Sequence, residues 1–513
     1  MTRAAGLILH PTSLPGPGPI GDLGSGADRF LDWAAAAGQS IWQVLPLGPT
    51  GPGNSPYSGV SMRAGNPLLI AAGELDGTAR AGSVASASRR DFGRVDYVAA
   101  AREKEAVLRA SWEAFSSRDV RGDGSPAELR AFRDDPRQAE WLDDWTLFAA
   151  SKRANRGAPW TEWPSSLRRR EPAALANARA EWHVEIDYQA YLQFLFFRQW
   201  QRVRDAARSR GISILGDLPI YPALDSADVW ASPELFRLDA DGRPTEVAGV
   251  PPDYFSATGQ LWGNPLYRWD RHEADGFRWW LARVRAELEK FDLVRLDHFR
   301  GFASYWTVPA GARTAVEGHW ETGPGRRLFD ALRAEWGELP QVMIAEDLGI
   351  VGDDVHELLR ETGLPGMRVM QFGFDSDDSL HHPSRFPEHC VAYTGTHDND
   401  TTRGWVEKLR GEERARALAA VGVGEGADPA EIVWRLIRLL YESRAERVLV
   451  PVQDVLALGS DARMNTPSVP EGNWEFRLGA DALTPEMAER VREVVPTPAP
   501  PGPSARRGAP EPR

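Results

Sequence analysis

The chain predicts an α/β fold, a (β/α)8 barrel, and three observations carry that prediction. Eight short apolar runs recur along its 513 residues. Stretches with helical periodicity separate most of them, the alternation that builds a parallel sheet with crossover helices. Several of the runs end in an acid, and the C-terminal ends of barrel strands are where such a fold collects its functional groups.

The elements follow in order. Gly6, Leu7, Ile8, Leu9 and His10 form the first run. Ser25, Gly26, Ala27 and Asp28 read as a capping box opening a helix. Phe30, Trp33, Ala34 and Ala37 follow at helical spacing and Gly38 stops it. Residues 41–45 are a second strand, closed by Pro46, and the Gly-, Pro- and Ser-rich stretch 48–66 is a loop. Residues 67 to about 210 break the rhythm with charged helical segments at 102–110 and 141–153 and an aromatic helix at 188–197, which reads as a helical insertion. The rhythm returns at 212–217, followed by a long loop, about 221–270. Later strands fall at 293–297, 342–346, 367–372, 391–394 and 447–452. Helices are expected at 277–290, 325–336, 353–361, 412–420 and 429–443. The length exceeds a bare barrel of about 250 residues, and the insertions absorb the excess. No strand pattern of a C-terminal β-sandwich follows Trp474. Residues 496–513 hold seven prolines and almost no large apolar side chains, so they read as a disordered tail behind a single catalytic unit, 1–495.

Composition narrows the chemistry. Net charge is −13, which disfavours nucleic acid and anionic membrane as partners. No apolar run approaches a membrane span. The first residues lack a signal peptide's hydrophobic region, and Cys390, the single cysteine, cannot form an internal disulfide; both fit a cytoplasmic protein. Cys390 reads as an inert core residue. The four lysines, Lys104, Lys152, Lys290 and Lys408, all sit in charged helical stretches. A Schiff-base lysine is therefore not expected, and no glycine-rich phosphate loop is present. Twenty tryptophans suit both core packing and sugar rings, with their apolar faces and hydroxyl edges.

The acids carry the function. Asp217, Asp297, Glu346 and Asp398 would share one mouth, from strands three, four, five and seven. For a single acid, a helix N-cap is the commoner use; four in this register favour a reactive centre. They could hold a divalent metal, with His10, His298 or His397, or run glycoside chemistry with one acid and one nucleophile. In a strand, Arg295 and Asp297 point to one face. A fixed cation there argues against a metal cage and for an ionised carboxylate.

Several motifs then point to a family. They are His10–Pro11–Thr12–Ser13–Leu14–Pro15, Ser55–Pro56–Tyr57–Ser58, Gly216–Asp217–Leu218–Pro219–Ile220–Tyr221, Gly259–Gln260–Leu261–Trp262–Gly263–Asn264–Pro265, Val294–Arg295–Leu296–Asp297–His298–Phe299–Arg300–Gly301, Ala345–Glu346–Asp347–Leu348–Gly349, Thr396–His397–Asp398–Asn399 and Arg463–Met464–Asn465–Thr466–Pro467. With these the chain resembles the amylomaltases, the 4-α-glucanotransferases of glycoside hydrolase family 77, from His10 to Trp474. The resemblance implies a retaining double displacement that passes a segment of an α-1,4-glucan to glucose, maltose or another glucan, with no metal or organic cofactor. It implies Asp297 as nucleophile, Glu346 as general acid and base, and Asp398 as the residue that distorts the donor sugar, with His397 beside it. Arg295 would orient and ionise Asp297. Asp217 and Tyr57 would bind the reacting sugar, Tyr57 by stacking, and Asn465 joins the substrate-binding set. Transfer over hydrolysis needs a lid with apolar acceptor contacts; Tyr254, Phe255 and Trp262, between Gly and Pro hinges, fit that task. A hydrolase on the same scaffold and a catalytically silent glucan-binding protein are the rival readings, and the oligomeric state is monomer or homodimer. Members of the family often show Asn-Thr-Pro-Gly-Thr where this chain has Asn465–Thr466–Pro467–Ser468–Val469. The lost glycine puts that loop's mobility and acceptor preference in question.

Overall fold

Strand alternation decides which side chains reach the centre of the molecule. The structure, a computed structural model, describes residues 3–75, 92–119, 125–252, 256–349 and 351–495. The expected tail and the lid residues Tyr254 and Phe255 lie outside these residues. Eight parallel strands form the body: β1 (Ala4–Ile8), β2 (Ile41–Gln43), β3 (Ser213–Leu218), β4 (Leu293–Leu296), β5 (Met343–Ala345), β6 (Gly366–Val369), β7 (Cys390–Tyr393) and β8 (Arg447–Pro451). Their order is β5-β4-β3-β2-β1-β8-β7-β6, and every pairing is parallel. The ring is near-closed between β5 and β6, where Ala345 N–H donates to Pro365 O at 2.9 Å. The Asp347 carboxylate, one residue past Glu346, reinforces that seam by accepting Met367 N–H at 2.6 Å. The result is a (β/α)8 barrel.

Ile8, Ile41, Leu215, Ile344, Met367, Val369, Val391, Tyr393 and Leu449 pack together inside the ring. Leu293 joins them, while Val294 and Leu296 face the outer core beneath the helices. Alternation then puts Arg295 inside, one layer above Leu293. The β3–β4 register does the same for Asp217, which stands directly opposite Arg295. Just before Asp217, on the outer face of the strand, Gly216 has no side chain because a Cβ there would meet the Phe291 ring at 2.1 Å.

The helices that cover the sheet include Ser25–Ala36, His183–Ser209, Arg278–Lys290, Arg326–Trp336, Asp353–Thr362 and Pro429–Glu442. The aromatic helix is far longer than its apolar segment suggested, because its polar ends continue at helical spacing over 27 residues. After Trp474, Phe476–Leu478 pairs antiparallel with Phe92–Arg94, and helix Pro485–Val494 returns to the first helix, where Trp33 Nε1–H donates to Thr484 O. No β-sandwich follows among the described residues.

Two expectations are corrected. Ser25 does not cap: Gly24 is the N-cap, the helix starts at Ser25, and no side chain caps it. Ser25 Oγ instead accepts from Arg29. The stretch after β3 is not simply a loop. Gln260–Pro265 pairs with Glu246–Val250, which pairs in turn with Ser304–Pro309, which pairs with His319–Thr322, in a four-stranded antiparallel sheet over the mouth side of β4.

Candidate active site

The buried centre begins with the opposed pair Asp217 and Arg295. Arg295 Nη1 donates to both Asp217 oxygens at 2.7 Å, with side-chain exposures of 6% and 0%. The expected task of Arg295 is thus only part of what it does, because its tightest contacts go across the sheet to Asp217. Its other nitrogen reaches the reactive acids. Nη2 lies 2.9 Å from Asp297 Oδ1 and 3.9 Å from Glu346 Oε2. Two carboxyl groups that share one guanidinium nitrogen sit close enough for the roughly 5–5.5 Å spacing of a retaining pair.

Glu346 is positioned by backbone. His298 N–H donates to its Oε2 at 2.7 Å and Leu348 N–H to its Oε1 at 2.9 Å. His298 takes a left-handed conformation, φ 50°, which aims that N–H; strained backbone of this kind gathers at functional sites. Sequence reading treated His298 only as an imidazole, whereas its backbone is what the site uses. Its ring is neutral, burial and the nearby arginines holding it down at about 3.

Burial pushes the Asp297 carboxyl up to about 6 against the pull of Arg295. Arg295 does pull this carboxyl down, but desolvation outweighs it. Burial raises Glu346 further, to about 8, with Arg295 opposing and Asp297 adding to the rise. Near neutral pH the centre favours a protonated Glu346 beside an ionised Asp297.

Asp398 forms the far wall and stands half open to the mouth. Desolvation works to raise it, but His397, with Nε2 at 3.3 Å, and Asn465, whose Nδ2 donates to Oδ1 at 2.6 Å, hold it below the usual carboxylate range. Arg463 Nη2 donates to the Asp398 carbonyl at 2.8 Å, a contact that the motif's arginine could have suggested. Tyr57 joins the two halves. Its hydroxyl donates to Asp217 Oδ2 at 2.6 Å and lies 3.3 Å from His397 Nδ1. Its ring stacks on His397 at 4.8 Å, and both rings lie 5.9 Å from Trp474.

Trp262, 37% exposed, packs edge-on against His298 at 4.7 Å, on the sheet over the mouth. The loop after Asn465 has a particular strain. Ser468, where the family motif would have glycine, has a left-handed backbone, φ 65°. Asn473 pins this loop by accepting Thr466 N–H and donating to Val469 O.

Arg295 places a fixed cation among the acids at the mouth. Elsewhere Glu246, His319 and Glu321 bring ligand atoms within 4.8 Å of one another. Arg237 already occupies both carboxylates there, at 2.7 and 2.6 Å. Cys390 is buried, its thiol pushed up to about 12 by desolvation, which makes it inert.

Fold and site together define a class: a (β/α)8 barrel with a carboxylate centre built for glycosidic bonds. The 4-alpha-glucanotransferase family, glycoside hydrolase family 77, matches residues 9–482, and the chain belongs to that family. It is 48% identical to a 4-alpha-glucanotransferase of Thermus thermophilus over 505 residues, 96% of this chain and 98% of that one. It is 46% identical to the Synechocystis 4-alpha-glucanotransferase, over 94% and 95% of the two chains. The amylomaltase of Streptococcus agalactiae, solved in complex with acarbose, matches with a TM-score of 0.89 at 35% identity, over 96% and 98%. The enzyme class is therefore glucan transfer.

Proposed function

We propose that Asp297, Glu346 and Asp398 carry 4-α-glucanotransfer by a retaining double displacement. The observation that supports this best is the shared Arg295 nitrogen, with Glu346 the more basic of its two partners. Asp297 attacks C1 of the donor glucose. The C1–O4 bond breaks, and Glu346 gives its proton to the leaving O4. A glucosyl ester on Asp297 remains. The 4-hydroxyl of the acceptor then attacks C1, Glu346 takes its proton, and the Asp297–C1 bond breaks.

Asp398, held by His397 and Asn465, grips the donor hydroxyls. Asp217 and Tyr57, bonded to each other, bind the ring at the same sugar. Trp262, with Tyr254 and Phe255, covers the acceptor and keeps water from the ester. Donors are α-1,4-glucans such as maltodextrins, amylose, glycogen or starch. Glucose and maltose serve as acceptors. Asp217, Arg295, His397 and Asn465 complete the substrate-facing set. No metal or organic cofactor takes part in this scheme.

The working unit is residues 1–495 with insertions at about 67–210 and 221–270, in a cytoplasmic monomer or homodimer. No helix among the described residues is long and apolar enough to cross a membrane.

The test uses Glu346→Gln enzyme with α-maltotriosyl fluoride. Fluoride leaves without an acid, so the ester forms but is not discharged. Mass spectrometry should find a maltotriosyl adduct on the Asp297 peptide. An adduct elsewhere, or none while fluoride is released, overturns the assignment.

A further inference from the structure

A second cleft opens on the flank of the barrel, between the short helices Ser125–Asp134 and Pro136–Ala139, helix His183–Ser209 and helix Arg278–Lys290. It encloses about 280 Å³, near the lower end of small-molecule sites, about 300 Å³. It shares no residue with the catalytic mouth.

Its walls are aromatic. Phe132 and Trp141 each lie 5.9 Å, centroid to centroid, from Phe197, and all three line the cleft. Phe132 and Phe197 keep part of their surface open. Its rim is polar, with the amides of Gln138 and Gln201 and the Glu289 carboxylate, which burial raises above its ordinary value. Arg204, mostly buried in the wall, holds an Nε–H with no acceptor among the described residues. Flat apolar faces under a ring of hydrogen-bonding groups fit a hexose, whose faces are apolar and whose edges carry hydroxyls.

Charge separates this ligand from an anion. The cleft has five cations, but each has a carboxylate already: Arg63 with Glu140, Arg137 with Asp135, Arg198 with Glu128, Arg204 with Asp292 and Lys290 with Glu287. A phosphate or carboxylate would have to break one of these pairs. A neutral polyol breaks none of them and adds hydrogen bonds at the polar rim.

We propose that this cleft is a second glucan-binding site, which holds a remote stretch of the same α-1,4-glucan that the mouth cuts. The inference rests on the reading of the catalytic site. Holding a polymer at two points raises the local concentration of its chain at the mouth. Maltotriose is too short to gain from it.

Two measurements test this. Asp297→Asn enzyme, which binds without turnover, is titrated calorimetrically with maltoheptaose. Two classes of site are expected, reduced to one by adding Gln138→Ala with Gln201→Ala. In the active enzyme the same glutamine pair, or Ala286→Trp filling the cleft, should raise KM for amylose about threefold or more and leave maltotriose kinetics unchanged. One class of site, an unchanged amylose KM, or binding of inorganic phosphate in the cleft in place of maltoheptaose overturns the proposal. Failure of the catalytic reading would appear separately, as wild-type enzyme that forms no transfer products from maltotriose.

Discussion

Arg295→Met removes the one cation that both reactive acids share. The structure sets the size of the effect. Arg295 and Asp217 are a closed, buried pair at 2.7 Å with almost no exposed side chain. Methionine leaves Asp217 buried with only the Tyr57 hydroxyl in its place, and orphaning a buried charge costs about 3–5 kcal/mol. The catalytic effect has a definite sign. Arg295 pulls both carboxyls down, from 2.9 Å at Asp297 and 3.9 Å at Glu346. Without it both rise, Asp297 from about 6 and Glu346 from about 8. The activity that needs ionised Asp297 then begins at higher pH, and each unit of rise lowers the ionised fraction about tenfold below the limb. Loss of a charge aimed at the reacting centre removes about 10²–10³ from kcat in addition. The assay is kcat/KM for maltotriose disproportionation from about pH 5 to about pH 9, with wild type bell-shaped between the two macroscopic values. Thermal unfolding runs beside it, and Arg295→Lys serves where methionine does not fold. An acid limb that stays in place or moves down refutes the account of Arg295, as does an unchanged melting temperature.

Four other outcomes follow. Asp297→Asn should abolish transfer yet melt no lower than wild type at pH 8. The folded carboxyl titrates above its ordinary 3.8, so native stability falls as pH rises from there through about 6, and an uncharged amide escapes that loss; a lower melting temperature contradicts this. Asn465→Ala removes the 2.6 Å bond that fixes Asp398 and should lower kcat about tenfold, about 1.4 kcal/mol of barrier, with little change in stability seen by thermal unfolding, because the Asp398 side chain is half open to water, which replaces the amide. Trp262→Ala should raise the ratio of hydrolysis to transfer or weaken acceptor use, read from free glucose against longer products; an unchanged ratio with unchanged acceptor kinetics would sink the lid assignment. Ser468→Gly should stabilise the protein by up to about 1 kcal/mol in chemical denaturation, because φ 65° is strained for serine and free for glycine.

The barrel was legible because its strands are buried on both faces and so read as continuous apolar runs. Strand boundaries moved by no more than three residues: the run at 367–372 is strand only through Val369 and then turns as a 3-10 helix. The antiparallel sheet was hidden for a physical reason. Gly249, Gly263 and Pro265 give two of its strands a loop's composition, and the strand that pairs with Glu246–Val250 on its other side, Ser304–Pro309, arrives from beyond β4. Arg295 and Asp297 were readable together from strand periodicity. The Arg295–Asp217 pair was not, because it depends on the β3–β4 register, which one sequence does not supply. The same holds for His298: the residue was visible, but the left-handed turn that sends its N–H to Glu346 is a property of the folded backbone.

Incubation with maltotriose alone tests the central claim most directly. Glucan transfer through a glucosyl ester on Asp297 predicts glucose together with a ladder of products longer than maltotriose, and Asp297→Asn should yield neither. Glucose and maltose without longer products would mean that water, not a second sugar, reaches the ester, and would contradict the account.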